Sequence, residues 1–425
     1  MTKILIKDGR VIDPANNLDE ALDILIEDGK IVKVAEGIRN GAEIIDAKGK
    51  IVMPGLVDMH VHLREPGRED KETICSGTKA ALAGGITSLL AMPNTSPAID
   101  SVSNIKILKE AIRKNAKANV FICGAITRDR RGEELTDIPS LKKEGAVAIS
   151  DDGNSVDSDT ILEGAFREAA KEKILTICHS EDKSFSCAGV VNLGFTSTRL
   201  GLRGISKESE YKRVLRDVGL AEKTGARVHI AHISCLESVE IISKAKQKGA
   251  KVTAETCPHY FALTEESVLG YDTNFKMNPP LRSKFDAQAI KDGLSSGVID
   301  VICSDHAPHT ENEKDIEFER AEFGVIGLET ELAVSITELV EGGILGWDGL
   351  IKMMALNPAR ILGIDKGTLS VGADADIVVI DPTKEWKVSK DRFLSKSRNS
   401  PFINKILKGF IEYTICLGKV HKWNL

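Results

Sequence analysis

A chain of 425 residues corresponds to two or three average domains, or to one large barrel with an appendage. Hydrophobic residues make up 42% and charged residues 28%, a globular balance that excludes a disordered or fibrous chain. Fifty-seven basic against 63 acidic side chains leave a net charge of −6, and only 4% of residues are aromatic. Neither a basic surplus for phosphates nor stacking platforms for bases is present, so no nucleic-acid partner is expected.

The opening Met1-Thr2-Lys3-Ile4-Leu5-Ile6-Lys7-Asp8-Gly9 is charged and has no apolar signal core. No apolar run approaches the ~18 residues of a membrane span. The expectation is a cytoplasmic protein with no membrane partner. Cysteines at 75, 123, 178, 187, 235, 257, 303 and 416 form no CxxC pair and read as reduced thiols.

Along the first fifty residues, Ile4-Leu5-Ile6, Gly9 to Ile12, Ile24-Leu25-Ile26 and Ile31 to Val34 are short strand-like runs. Asp28-Gly29 between the last two is a two-residue hairpin signal. A middle section then alternates strands with helical stretches such as Ser103 to Asn115 and Leu236 to Lys248. The apolar runs lead into His60-Val61-His62, Ser88 to Met92, Val120 to Cys123 and Val147 to Ser150; then come Ile174 to Cys178, Val228 to Ala231, Lys251 to Ala254 and Ile299 to Cys303. Eight strands separated by helices predict an α/β fold, a (β/α)8 TIM barrel over 55–363, a span that suits the usual ~250 residues. The rival doubly wound sheet lacks a GxGxxG after any strand. The far end returns to strand texture at Ala375 to Ile380, Tyr413 to Ile415 and Gly418 to Val420. Residues 1–54 with 364–425 are therefore expected to form one small β-sandwich domain from both chain ends.

Eight of the nine histidines lie between 60 and 309. Ligand-type residues collect where the apolar runs stop, and in a barrel those stops share one rim. His60 and His62 alternate onto one face of a strand, spaced to chelate a metal. His179 and His232 close the fifth and sixth runs and supply imidazoles for a second ion. His229, three positions before His232, alternates the other way and reads as packing; His421 reads as surface. Alternation lets one of Asp151 and Asp152 face inward as a bridging carboxylate and leaves open which. Asp305, ending the eighth run, is placed to hold a metal and to move a proton. Arg64 offers a planar fork for a carboxylate, with Asn94 and Asn278 as flanking donors. The charge-dense stretch Thr310 to Phe323 reads as a solvated loop, or alternatively as a lid.

Asp58-Met59-His60-Val61-His62-Leu63-Arg64-Glu65-Pro66-Gly67, read with Ser304-Asp305-His306-Ala307-Pro308-His309, resembles the dihydroorotases, and among them the longer bacterial (class I) type of the amidohydrolase superfamily. Pro54 to Asp58, Asn357-Pro358-Ala359 and Gly372 to Val378 extend the likeness nearly end to end. The resemblance implies reversible cyclisation of N-carbamoyl-L-aspartate to (S)-dihydroorotate in pyrimidine (UMP) biosynthesis. It implies His60, His62 and Asp305 around one Zn2+, and Asp152, His179 and His232 around a second, with Asp152 reaching both; related chains hold one zinc or two. Hydroxide activated by metal would attack the ring amide, with Asp305 as general base and acid. The implied substrate contacts are His62, Arg64, Asn94, Asn278, His309 and the backbone of Phe323-Gly324. Implied partners are the small-molecule substrate, a second copy in a homodimer, and aspartate transcarbamoylase. Cys303 departs from the family's Gly or Ala; it is small, and its thiol adds an expected sensitivity to oxidation. Hydantoinases and allantoinases are similar but bridge their metals with a carbamylated lysine, and Ser150-Asp151-Asp152-Gly153 offers only carboxylates. Inactive scaffold relatives lack metal ligands, whereas all six positions are filled here.

Overall fold

The computed structural model describes residues 3–39 and 41–424; Met1, Thr2, Asn40 and Leu425 lie outside the described residues, and with them the outermost ends of the expected small domain. The two runs read as separate strands near the amino terminus form one, Lys3–Asp13. Its antiparallel register with Leu18–Glu27 shifts between Ile6 and Gly9, where Asp8 has φ +59° and the strand bulges. A Cβ on Gly9 would lie 2.5 Å from Val52 Cγ2, so only glycine lets Ile51–Pro54 approach there. Asp28 and Gly29, at φ +48° and +79°, make the expected tight turn into Lys30–Ala35.

Ile51–Pro54 joins the two ends of the chain. It runs parallel to Lys3–Asp13 (Arg10 opposite Ile51) and antiparallel to Ile377–Lys387 (Ile380 opposite Ile51). Ile406–Cys416 and Lys419–Lys422 complete that edge of the sheet. Ile6, Val11, Ile24, Val52, Ile377 and Val379 bury one shared apolar face, so the small β domain is built from both chain ends.

Eight parallel strands then follow one another around a nearly closed barrel: Leu56–Val61, Ile86–Ala91, Asn119–Gly124, Ala146–Ser150, Leu175–Cys178, Val228–Ile230, Val252–Thr256 and Val301–Ile302. His62 N donates to His306 O at 2.9 Å and closes the first strand against the segment after the eighth. Every expected barrel run forms a strand, and the two named helices appear as Val102–Asn115 and Leu236–Gln247. Ser101 caps the former by accepting from Asn104 N at 3.3 Å, and its Ile105 and Leu108 face the core. The excursion after the fifth strand, with Val191–Asn192 parallel to Gly204–Ile205, consists of pieces too short to carry a readable period. Among the described residues, no helix is long and apolar enough to cross a membrane.

Candidate metal centre and substrate pocket

The ends of the barrel strands bring the six expected ligand residues together. On the first strand, alternation turns His60 and His62 inward, both buried, with ring centroids 5.4 Å apart. Asp58 stands below them. Its Oδ1 accepts from His60 N at 3.0 Å and its Oδ2 from Ser304 N at 3.2 Å, which clips the first strand to the eighth. Burial pushes the Asp58 carboxyl up to about 7.

Asp152 occupies the centre. Its Oδ1 lies 3.2 Å from His60 Nε2, 3.7 Å from His179 Nδ1 and 3.7 Å from His232 Nε2, while Oδ2 lies 3.4 Å from His62 Nε2. Asp305 Oδ1 stands 3.1 Å from His62 Nε2 and 3.7 Å from His60 Nε2. His179 Nδ1 and His232 Nε2 approach to 2.8 Å. The neighbouring Asp151 is buried as well but turns away, accepting from Ile126 N at 2.8 Å and Thr127 N at 3.0 Å. It anchors the loop after the third strand, so Asp152 alone faces the rim.

Burial alone would raise both carboxyls, but the charge of His60 and of the neighbouring imidazoles prevails. Asp152 is held well below the usual carboxylate range and Asp305 falls to about 2. Ionised oxygens thus face imidazole nitrogens around one point, the donor set of a divalent cation. Two sets of ligand atoms, His60–His62–Asp305 and His60–Asp152–His232, each lie within 4.8 Å of one another. His60 Nε2 and Asp152 Oδ1 are fully buried yet make no hydrogen bond. Such atoms are costly unless a metal takes their lone pairs, and the residues therefore fit a metal.

Backbone strain helps to aim two of these side chains. His232 has φ +34° and Asp305 φ +45°, left-handed values that non-glycine residues seldom adopt. The kink at His232 corrects the reading of His229. Its Nε2 lies 3.1 Å from Glu255 Oε2 and its Nδ1 2.7 Å from Thr253 Oγ1. Both histidines face the barrel interior, because strand alternation ends at Ile230 and does not reach His232.

The expected substrate residues are tied by hydrogen bonds to this centre or to one another. Asn94 Oδ1 meets His62 Nδ1 at 2.8 Å. Arg64, at φ +60°, donates from Nε to Pro308 O at 3.2 Å and forms no ion pair among the described residues. Asn278 donates to Glu181 Oε2 at 3.2 Å. His309 Nε2 meets Phe323 O at 2.8 Å. A Cβ on Gly324, at φ +124°, would lie 2.7 Å from Ala307 Cβ and 3.2 Å from His309 Nε2.

Several contributors escaped the sequence reading. Glu255 Oε1 holds His60 Nδ1 at 2.5 Å, and Glu181 Oε2 lies 3.4 Å from His179 Nε2. An acid inside the buried strand Val252–Thr256 was the available signal for Glu255; Glu181 carried none. Lys71 and Asn399 also escaped. Asn399 Oδ1 accepts from His309 N at 3.2 Å, and its amide donates to Ala307 O and Gly324 O at 3.1 Å each. Two expectations change. The Cys303 thiol is buried with its Sγ 3.8 Å from Cys257 Sγ, and burial raises it well above its ordinary range, which counts against the expected sensitivity to oxidation. His421 is half-buried, its ring stacked on Trp423 at 6.1 Å.

Comparison with known proteins supplies the family. Residues 49–238 match the family model described as Dihydro-orotase-like. The chain is 53% identical over 419 residues to the dihydroorotase of Elusimicrobium minutum (strain Pei191), covering 98% of this chain and 97% of that one. It is 51% identical over 419 residues to the dihydroorotase of Pelotomaculum thermopropionicum, covering 98% of each. Among solved structures, the L-hydantoinase (dihydropyrimidinase) from Arthrobacter aurescens superimposes with a TM-score of 0.90 at 26% identity, over 100% of this chain and 97% of that one. Full-length identity above one half and a shared barrel place the relationship beyond the fold alone: the chain belongs to the dihydroorotase family.

Proposed function

We propose that the chain is a zinc-dependent dihydroorotase, interconverting N-carbamoyl-L-aspartate and (S)-dihydroorotate in pyrimidine biosynthesis. The observation that carries this reading is the convergence of His60, His62, Asp152, His179, His232 and Asp305 on one buried point, where His60 Nε2 and Asp152 Oδ1 lack other partners. His60, His62 and Asp305 would hold one zinc, and Asp152, His179 and His232 the other, with Asp152 shared. Bound zinc supplies a Lewis acid and lowers the pKa of water to about 7.

The side chains do the rest. Arg64, with Asn94 and Asn278 as further donors, would take the ring carboxylate of dihydroorotate in a planar fork. His309, beside Arg64, and the Phe323-Gly324 backbone would complete the same wall. Asp305, ionised beside His62, accepts the proton of the attacking water and returns it to the leaving ring nitrogen. Carbamoyl aspartate carries two carboxylates and dihydroorotate one, so ring closure consumes a proton. Cyclisation therefore gains as pH falls and hydrolysis gains as pH rises.

The hydantoinase-like neighbour supports a second reading, hydrolysis of an uncharged cyclic imide. Arg64 favours a substrate that carries its own carboxylate, and Ser150-Asp151-Asp152-Gly153 offers no lysine for the bridge that hydantoinases use. Metal analysis of the purified protein, with dihydroorotate and hydantoin assayed before and after chelation, tests the proposal. It expects bound zinc and turnover of dihydroorotate that is lost on chelation and regained with zinc. Faster turnover of hydantoin, or activity indifferent to chelation, would overturn it.

A further inference from the structure

Lys71 is 5% exposed, and it reaches the candidate pocket from behind. Its Nζ lies 3.1 Å from His309 Nδ1 and 2.9 Å from Glu313 Oε1. An ammonium only donates, so in this contact Nδ1 must be the accepting nitrogen. The other side of the ring agrees: Nε2 stands 2.8 Å from Phe323 O, a carbonyl that only accepts. These two close contacts select the neutral ring with its proton on Nε2, and they outweigh the longer approach of Arg64 Nη2 to the same nitrogen at 3.5 Å. Burial, followed by the charges of Arg64, Lys71 and Lys314, pushes His309 far down and keeps it neutral.

The opposite tautomer has a ready partner. Glu313 Oε2 lies 3.6 Å from the same Nδ1, beyond good hydrogen-bond reach but close enough to attract a proton there. Lys71 stands between the two outcomes, and Glu313 is itself held by Arg68 at 2.8 Å.

We propose that Lys71 is a positioning residue that locks His309 in the tautomer carrying its proton on Nε2, so that the pocket wall beside Arg64 presents substrate oxygens with an N–H, shared with Phe323 O, in place of a lone pair. The functional part of this proposal rests on His309 touching substrate, as in the reading above; the tautomer itself does not. Loss of the ammonium would let Nδ1–H turn to Glu313 and leave a bare Nε2 facing both Phe323 O and a substrate carboxylate.

The zinc-loaded enzyme, labelled with 15N-histidine, tests this by long-range 1H–15N correlation, with His309 identified by its loss in His309→Asn. The wild type should show an unprotonated Nδ1 and a protonated Nε2. Lys71→Met should shift His309 to the Nδ1–H form, whereas Lys71→Arg, which keeps a donor, should retain the wild-type pattern. For dihydroorotate, Lys71→Met should raise KM about tenfold with kcat changed by less than about threefold, a split typical of lost binding that ground and transition states share. A wild-type spectrum with Nδ1 protonated overturns the proposal without any variant, as does an unchanged tautomer in Lys71→Met. If the wild type fails to turn over dihydroorotate while the tautomer moves as expected, the functional reading fails and the lock stands.

Discussion

Glu255 shows how one side chain beneath a cluster tunes it. Its Oε1 grips His60 Nδ1 at 2.5 Å while Oε2 holds His229 at 3.1 Å, which commits His60 Nε2 and its lone pair to the centre. Carboxylate partners of this kind orient a ligand and raise its basicity. Glu255→Gln keeps the shape and removes the charge; zinc affinity, read by competition with a chelator, should fall about 10- to 100-fold with the fold intact. Unchanged affinity would mean that His60 is aimed by packing alone. Arg64 makes the complementary prediction at the substrate end. Because it forms no ion pair among the described residues, Arg64→Ala should cost dihydroorotate binding about 2–3 kcal/mol, the scale of a lost charge-assisted bond. An uncharged cyclic imide should lose far less. Equal losses in the two binding measurements would remove the carboxylate fork.

Strands and loops differ in how much of this was legible. The pair His60 and His62 is written in a two-residue period, and strand alternation delivered both where expected. His232 and Asp305 depend on left-handed backbone at φ +34° and +45°, which no periodicity encodes, so alternation mislaid His229. Likewise, only the resemblance separated Asp152 from Asp151, since two consecutive acids leave the choice to the turn after them. The segment Thr310 to Phe323 is charged in sequence yet anchored from below. Lys276 Nζ donates to Phe318 O, Glu319 O and Ala321 O at 2.9, 3.0 and 2.6 Å, and Lys314 Nζ to Glu322 O and Gly324 O at 2.9 and 3.0 Å. Burial lowers Lys276 to about 8 and Lys314 to about 7, so each buried cation depends on its carbonyl acceptors. Lys276→Met strands three carbonyls at a cost of roughly 1–3 kcal/mol. Limited proteolysis should then cut within 310–323 much faster than in the wild type, and equal rates would show that the anchor is dispensable.

At the scale of the whole molecule, the small sheet and the barrel are distinct in topology but not in packing. Val378 and Ile380 of one C-terminal strand, Leu407 and Ile411 of the next, and Phe393 and Phe402 between them belong to the same buried cluster as the barrel residues Leu56, Leu89 and Ile326. Polar contacts repeat the tie. Glu72 Oε1 accepts from Lys396 N at 3.1 Å while its Oε2 lies 3.2 Å from His306 Nε2, and Asn399 bridges Ala307 to Gly324. The chain end therefore braces the loop that presents Asp305 and His309. Two units that share an apolar core and a bracing segment should not unfold separately. Calorimetry of the zinc-loaded protein should give one cooperative transition. Removing zinc should lower its midpoint and keep it single, because a ligand bound only to the folded state stabilises that state as a whole. Two resolved transitions, with only one responding to zinc, would mean that the small domain stands apart from the barrel and that its contacts do not support the pocket.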